Sequence, residues 1–146
     1  MPHAETELGE VAHRAVIAFI RGELRTLGLT QPQYWVLRHL CPDDPAPDGQ
    51  GLTTVELTAV MRPYLGGHDL EPEVAGLARD GLVTRDDGGR LWITEAGRRA
   101  HARVKEHAPV IRARLREGID DAEYAIMLSV LRRIIRNAGG EPDGDA

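Results

Sequence analysis

The segment from residue 71 to residue 97 constrains the fold of this chain more than any other part of the sequence. It begins with a short amphipathic pattern that stops at Gly81. Two runs of strand-forming residues, 82–85 and 90–93, flank an Asp-Asp-Gly-Gly sequence that favours a tight hairpin. Thr94 then occupies the N-cap position of a long helical pattern. The segment therefore predicts a helix, a two-stranded ribbon and a second helix, in that order.

Apolar periodicity and capping residues predict further helices before this segment. Apolar residues recur at three- and four-residue steps from about residue 5 to residue 27, which is the pattern of one amphipathic helix. Thr30 with Gln33, and Thr53 with Glu56, have the spacing of a capping box, in which two side chains and two backbone N–H groups pair reciprocally. Each pair therefore marks the start of a helix.

The remaining helix boundaries follow from proline and from further caps. We expect the third helix to end near Arg62 and Pro63, because proline lacks the N–H group that a helix interior requires. Asp69 is the expected cap of the fourth helix. Asp120 with Glu123 repeats the capping-box spacing before the last helix. The predicted order is four helices, a ribbon and two helices.

This order predicts a mainly α fold with a small β wing. We expect a winged helix-turn-helix lobe over residues 28–97, with long helices over 5–27 and 98–138 that have more apolar surface than the lobe can cover. These terminal helices are therefore interpreted as dimerisation helices of a single domain that spans 1–146. We expect the acidic segment 141–146 to be a disordered tail.

The composition narrows the class of protein. The chain has 146 residues, a net charge of -5 and a single cysteine, Cys41, which cannot form an intramolecular disulfide. No apolar run approaches the roughly 20 residues of a membrane span, and no secretion leader is recognisable. We therefore expect a cytoplasmic protein that does not act at a membrane, with Cys41 as a half-buried structural thiol.

Catalytic and metal-binding patterns are not recognisable in the sequence. Ser129 is the only serine and lies among apolar residues of a predicted helix, where no base is at hand. The 6 histidines are interpreted as unrelated surface or boundary residues, because a zinc site needs several ligands that converge. We therefore expect no enzyme activity, no metal and no cofactor.

Several motifs together resemble the MarR family of bacterial transcriptional regulators. They are Leu-Thr-Gln-Pro-Gln-Tyr-Trp-Val-Leu at 29–37, Leu-Thr-Thr-Val-Glu-Leu at 52–57, Gly-Leu-Val at 81–83 and Ile-Thr-Glu-Ala-Gly at 93–97. The resemblance covers about residues 5–138. It implies a homodimer held by the first and the last two helices, with paired lobes on a pseudo-palindromic operator in double-stranded DNA. It also implies a small aromatic or other effector between the lobe and the dimerisation helices.

The start of the predicted recognition helix is acidic. Its segment holds Asp69, Glu71, Glu73 and Asp80 against a single cation, Arg79. A glutamate can accept a hydrogen bond from cytosine N4, but carboxylates near phosphate oppose binding. Acids in a first turn also stabilise a helix through its dipole, by about 0.3–1 kcal/mol. We favour this structural interpretation over base reading.

Candidate site residues follow from the predicted elements. In the wing, Arg90 is a candidate for the minor groove and Arg85 for a phosphate, with pairing to Asp86 or Asp87 as the alternative. The full set of candidate DNA-binding residues is Arg62, His68, Glu71, Glu73, Arg79, Arg85 and Arg90. The candidates for dimerisation are Leu8, Val11, Ala15, Tyr124, Leu128, Leu131 and Ile135. Candidates for an effector pocket are His13, Phe19, Tyr34 and Arg38.

Two functions are compatible with these observations. The first is a homodimeric, DNA-binding transcriptional regulator that responds to a ligand. The alternative is a degenerate winged-helix dimer that binds a protein partner and does not read DNA. The acidic helix start and the net charge of -5 motivate the alternative.

Overall fold

The computed structural model describes residues 2–41 and 51–142. Over these ranges the chain forms six helices and three short strands, and the predicted mainly α fold with a small β wing is confirmed. The elements are α1 (Pro2–Thr26), α2 (Gln31–Leu40), β1 (Leu52–Thr53), α3 (Thr54–Leu65), α4 (Glu71–Arg79), β2 (Val83–Arg85), β3 (Arg90–Ile93), α5 (Glu95–Leu115) and α6 (Asp121–Asn137). The predicted tail lies outside the described residues from residue 143 onwards.

Most of the predicted helix starts are confirmed by side-chain caps. The hydroxyl of Thr30 accepts from the backbone N–H of Gln33 at 3.2 Å, and the Gln33 side chain accepts from the Thr30 N–H at 3.0 Å. Asp120 and Glu123 form the same reciprocal pair at the start of α6. These bonds satisfy N–H groups that a helix leaves without intrahelical partners, which is why the boundaries are readable from local sequence.

The predictions for α3 are wrong at two points. Thr53 does accept from the N–H of Glu56 at 3.1 Å, but the carboxylate of Glu56 does not complete a capping box and lies 3.6 Å from Arg90. The helix also continues through Pro63 and ends at Leu65, whose side chain is buried. Packing of this last turn into the core outweighs the lost hydrogen bond of the proline.

A third strand completes the wing. β3 is the central strand, and it pairs antiparallel with β1 on one side and with β2 on the other. Leu52 lies opposite Leu91, and Val83 lies opposite Ile93. Leu91 is fully buried, so the wing is attached to the core through its middle strand. The sequence did not predict β1, which has only two residues.

The chain divides into two compact units, Met1–Pro109 and Val110–Ala146. The core of the first unit contains side chains from helices α1 to α5 and from strands β2 and β3. Its completely buried large side chains are Val36, Leu37, Leu57, Met61, Leu70, Val74, Leu77, Val83 and Leu91. In the second unit, the guanidinium of Arg116 lies 3.9 Å above the ring of Tyr124. None of the helices in the described ranges has the length and apolar character of a membrane span.

Asp86 organises the hairpin between β2 and β3. One carboxylate oxygen accepts from the backbone N–H groups of Gly88 and Arg90, each at 2.9 Å, and the other accepts from Nε1 of Trp92 at 2.9 Å. Gly89 takes the left-handed conformation, with φ of 78°. The bond from Trp92, followed by that from the Arg90 N–H, holds the pKa of Asp86 below its ordinary value.

We predict that Asp86→Asn loosens the hairpin, because the amide has one acceptor oxygen where the carboxylate has two. Amide exchange at Gly88 and Arg90 should become faster, and the emission of Trp92 should shift to the red. Asp87→Asn is the matched control, since the Asp87 side chain forms no hydrogen bond or ion pair with the described residues. Equal exchange rates in the two variants would contradict this role of Asp86.

The lowered pKa also gives this contact a defined pH dependence. The carboxylate stabilises the folded hairpin fully above the ordinary aspartate pKa, and this stabilisation is lost as the pH falls through the lowered pKa. The indole N–H resonance of Trp92 should therefore move in acid in the wild type and stay constant in Asp86→Asn.

Candidate nucleic-acid interface

The first turn of α4 is attached to the start of α2. The hydroxyl of Thr30 donates to Oε2 of Glu73 at 2.6 Å, and Nε2 of Gln33 donates to the backbone carbonyl of Glu73 at 3.3 Å. Val74 and Leu77 of the same helix are completely buried. The carboxylate of Glu73 is thus engaged within the lobe, which supports the structural interpretation of this acid.

The residues just before α4 shape its entry. Oδ1 of Asp69 accepts from the backbone N–H of Glu71 at 3.1 Å, so the aspartate binds the first turn as predicted, although Leu70 occupies the N-cap position itself. His68 is exposed, and its Nε2 lies 3.6 Å from Oε1 of Glu73. Asp69 and Glu73 therefore hold the start of the helix in place.

Arg85 connects the end of β2 to the start of α4. Its Nη2 donates to Oε1 of Glu71 at 3.0 Å and lies 3.5 Å from the hydroxyl of Thr54. Both charged side chains remain about half exposed, at 44% for Arg85 and 51% for Glu71. An ion pair with this much exposure is weak in water, so the guanidinium can exchange partners.

Arg90 connects the start of β3 to the segment before β1. Its Nη1 donates to the backbone carbonyl of Gly51 at 2.7 Å and lies 3.6 Å from Oε1 of Glu56. Among the described residues no ion pair joins the Arg90 guanidinium to Asp86 or Asp87, and the Asp86 carboxylate binds backbone N–H groups and Trp92, although the positive charge of Arg90 contributes to the lowered pKa of Asp86. The ion-pair partner of Arg90 comes from α3.

The backbone of Gly51 lies close to the indole of Trp92. A Cβ atom on this residue would lie 2.5 Å from Cε2 of Trp92, which is closer than carbon atoms can approach. The indole therefore packs directly on the Gly51 backbone, next to the carbonyl that Arg90 binds.

Other exposed cations of the lobe form weak ion pairs, or none, with the described residues. Arg62 in the last turn of α3 and Arg79 in the last turn of α4 are exposed and form no ion pair with any described residue. At the start of α5, Arg98 is exposed, and Arg99 lies 4.0 Å from Glu95 on the same helix. These guanidinium groups are available to an anionic partner.

Five of the seven candidate dimerisation residues are exposed. On α1, Leu8 is 71% exposed and Val11 is 52% exposed, and Ala15 is exposed as well. On α6, Leu131 and Ile135 are exposed, while Tyr124 and Leu128 are half-buried. Among the described residues α6 has no buried side chain at all, although its apolar stripe is continuous. Exposed apolar stripes of this kind mark interaction surfaces.

A cavity of about 370 Å³ lies between the end of α1, the start of α2 and the start of α4. This volume is in the range of small-molecule sites. Its apolar lining includes Leu29, Trp35 and Leu65, and its charged lining includes Arg25 and Glu73. Arg25 is exposed and has no ion-pair partner among the described residues.

The predicted effector-pocket residues do not line this cavity. A second, more open groove of about 510 Å³ runs along the start of α5, and none of the predicted residues lines it either. Tyr34 stacks on His101, with ring centroids 5.6 Å apart. His13 and Arg38 are exposed, and Phe19 is half-buried.

His101 and Cys41 are more deeply buried than the sequence predicts. His101 is buried, not at the surface or boundary, because it packs face to face with Tyr34. Cys41 is buried and not half-buried. No three acidic, histidine or cysteine side chains in the described ranges are close enough to hold a metal ion.

The sequence did not predict which groups bind the wing arginines, namely the acids Glu56 and Glu71 and the carbonyl of Gly51. Glu56 had a local signal, its spacing from Thr53, but that signal pointed to capping. The contacts of Arg85 with Glu71 and of Arg90 with Gly51 join residues 14 and 39 positions apart, and no local pattern predicts such contacts.

No protein-family profile and no curated protein sequence matches this chain. Solved structures do match. A MarR-family transcriptional regulator from Rhodococcus sp. RHA1 is 25% identical, with 92% of this chain and 94% of that chain covered and a TM-score of 0.62. CouR from Rhodococcus jostii RHA1, bound to p-coumaroyl-CoA, is 26% identical over 87% of this chain and 88% of its own, with a TM-score of 0.57.

A third structure was solved in complex with DNA. This MarR family protein, Rv2887 of Mycobacterium tuberculosis, is 22% identical over 87% of this chain and 96% of its own, with a TM-score of 0.61. The three similarities cover 87–92% of this chain and 88–96% of the matched chains. The chain therefore has a MarR-like winged-helix fold, as its sequence motifs predicted.

Proposed function

We propose that this protein is a DNA-binding transcriptional regulator that acts as a cytoplasmic homodimer. The observation that carries the proposal is the arrangement of the lobe, in which α4 is anchored to α2 beside a three-stranded wing that presents two arginines. A related structure of this fold, Rv2887, was solved with DNA. In the proposed complex α4 enters the major groove and the wing contacts phosphates or the minor groove.

The acids of α4 are compatible with this proposal because their negative charges are engaged by the lobe. Glu73 accepts from Thr30, and Glu71 is paired with Arg85. The exposed cations Arg62 and Arg79 are then available for phosphates. A local positive surface is sufficient for binding, so the net charge of -5 does not exclude it.

The homodimer is supported by the apolar stripes of α1 and α6. Burial of these apolar stripes against another surface is favourable, and a second copy of the chain offers an identical, self-complementary surface. Two lobes related by a two-fold axis would bind a pseudo-palindromic operator, with one half-site for each lobe.

An effector is also part of the proposal, and the cavity beside Arg25 and Trp35 is its candidate site. The lining combines exposed cations with apolar side chains, which suits a small organic anion with an aromatic or aliphatic body. Glu73 also lines this cavity, so a ligand there would act directly on the residue that anchors α4.

We predict that Arg90→Ala weakens binding to the duplex upstream of the protein's own gene and reduces the salt slope by about one per lobe. The measurement is fluorescence anisotropy at several salt concentrations. Arg133→Gln is the matched control, because Arg133 is an exposed cation of α6, outside the lobe. A wild-type protein that binds no duplex, even at low salt, would contradict the proposal and favour the protein-docking alternative.

We predict that Leu131→Glu converts the dimer to a monomer, because a carboxylate cannot be buried unpaired in an apolar interface. Light scattering coupled to size exclusion at micromolar concentration should show half the wild-type mass. Ser129→Glu is the control, since residue 129 lies about 160° around α6 from residue 131. A wild-type mass equal to that of one chain would refute the homodimer.

We predict that benzoate quenches the fluorescence of Trp35 in a Trp92→Phe background, and that Arg25→Gln weakens its binding about two- to fivefold. The comparison variant is Arg14→Gln, which removes an exposed cation of the same helix that does not line the cavity. Equal affinities of the two variants would show that the cavity is not the site.

A further inference from the structure

Each wing arginine is held by an acid from a different helix of the lobe. Arg85 pairs with Glu71 of α4 at 3.0 Å, and Arg90 lies 3.6 Å from Glu56 of α3. The two pairs differ in their further contacts. Arg90 also donates to the carbonyl of Gly51 at 2.7 Å, so this guanidinium has a second, neutral anchor.

Among the described residues, no second group binds Arg85 as closely as the Gly51 carbonyl binds Arg90. The same nitrogen, Nη2, makes the short bond to Glu71 and the contact of 3.5 Å with Thr54. The short, charged contact is therefore the one that fixes the position of this guanidinium. The position of the Arg85 guanidinium therefore depends on the charge of the Glu71 carboxylate.

A DNA phosphate and the carboxylate of Glu71 present the same kind of acceptor to Arg85. Both are anionic oxygens that bind guanidinium nitrogens at similar distances. A bond from Nη2 to phosphate along the same direction would replace the bond to Glu71. If Arg85 instead keeps Glu71, the pair is neutral overall and releases no counterion from DNA.

We infer that Glu71 sets the DNA affinity of the lobe by competing with phosphate for Arg85. The inference rests on the proposed DNA-binding function. Glu71 is a positioning residue in this account, since it acts through Arg85 and does not read a base. Glu73 differs from it, because its carboxylate accepts from Thr30 and anchors α4.

The ion pair between Arg85 and Glu71 is weak enough for phosphate to compete with Glu71. Ion pairs with half-exposed partners are weak, and breaking one changes an equilibrium by about two- to fivefold. This change is small enough for phosphate to displace Glu71, and large enough to be measured in a binding titration. Removal of the charge should therefore increase affinity without rebuilding the lobe.

The test compares Glu71→Gln with the wild type on the same upstream duplex, by anisotropy over a series of salt concentrations. We expect binding about two- to fivefold tighter for each lobe. The salt slope should become steeper by up to about 0.9 per lobe, since one more cation neutralises phosphate. Asp80→Asn is the matched control, because it removes a charge from the other end of α4, where no ion pair to the wing exists among the described residues.

A double-mutant cycle separates competition for Arg85 from a general change in charge. In an Arg85→Gln background, Glu71→Gln should leave affinity no higher than Asp80→Asn does. Thermal unfolding followed by circular dichroism checks that each variant is folded. An equal gain with and without Arg85, or no gain beyond Asp80→Asn while the wild type binds DNA, would overturn the inference alone. Absence of salt-sensitive binding in the wild type and in every variant would overturn the proposed function as well.

Discussion

The contact between Glu73 and Thr30 is the interaction on which the arrangement of the lobe depends. It joins the N-cap of α2 to the first turn of α4, two elements separated by 43 positions in sequence. The buried side chains of Val74 and Leu77 pack α4 against the core, and the hydrogen bond adds a directional contact at its first turn. The hydrogen bonds of Glu73 with Thr30 and Gln33 fix the position of α4 relative to α2. The exposed face of α4 and the wing beside it are therefore presented in one defined orientation.

This constraint also changes the meaning of the acidic helix start. From the sequence alone, the four acids and one cation of this segment predict a helix that repels DNA. In the folded chain three of these acids have separate roles: Glu73 binds Thr30, Asp69 binds the backbone of the first turn, and Glu71 pairs with Arg85. The negative charges of these three acids are thus engaged in internal contacts. A weak internal ion pair at the wing then becomes a means of setting affinity for an anionic partner.

Much of the fold was predictable because its signals are local. The capping boxes at Thr30 and Asp120 lie within four residues, and the hairpin at Asp86 depends on a short run with two glycines. Structural features that depend on contacts with distant residues could not be predicted from the sequence. The strand β1 exists only because β3 pairs with it, and α3 passes Pro63 because Leu65 is buried.

The candidate site was predictable in part for the same reason. The positions of Arg85 and Arg90 in the wing follow from the strand boundaries, but the acids that hold them are set by tertiary contacts. The stacking of Tyr34 on His101 likewise joins α2 to α5, and the sequence alone placed His101 at the surface or boundary.

Amide hydrogen exchange of the wild-type protein, with and without the duplex upstream of its own gene, tests the central claim most directly. If α4 and the wing form the DNA-binding surface, exchange should slow in residues 71–79 and 83–93 when DNA is added, and this protection should decrease at high salt. Protection confined to other parts of the chain, or none at a duplex concentration that saturates binding, would contradict the account.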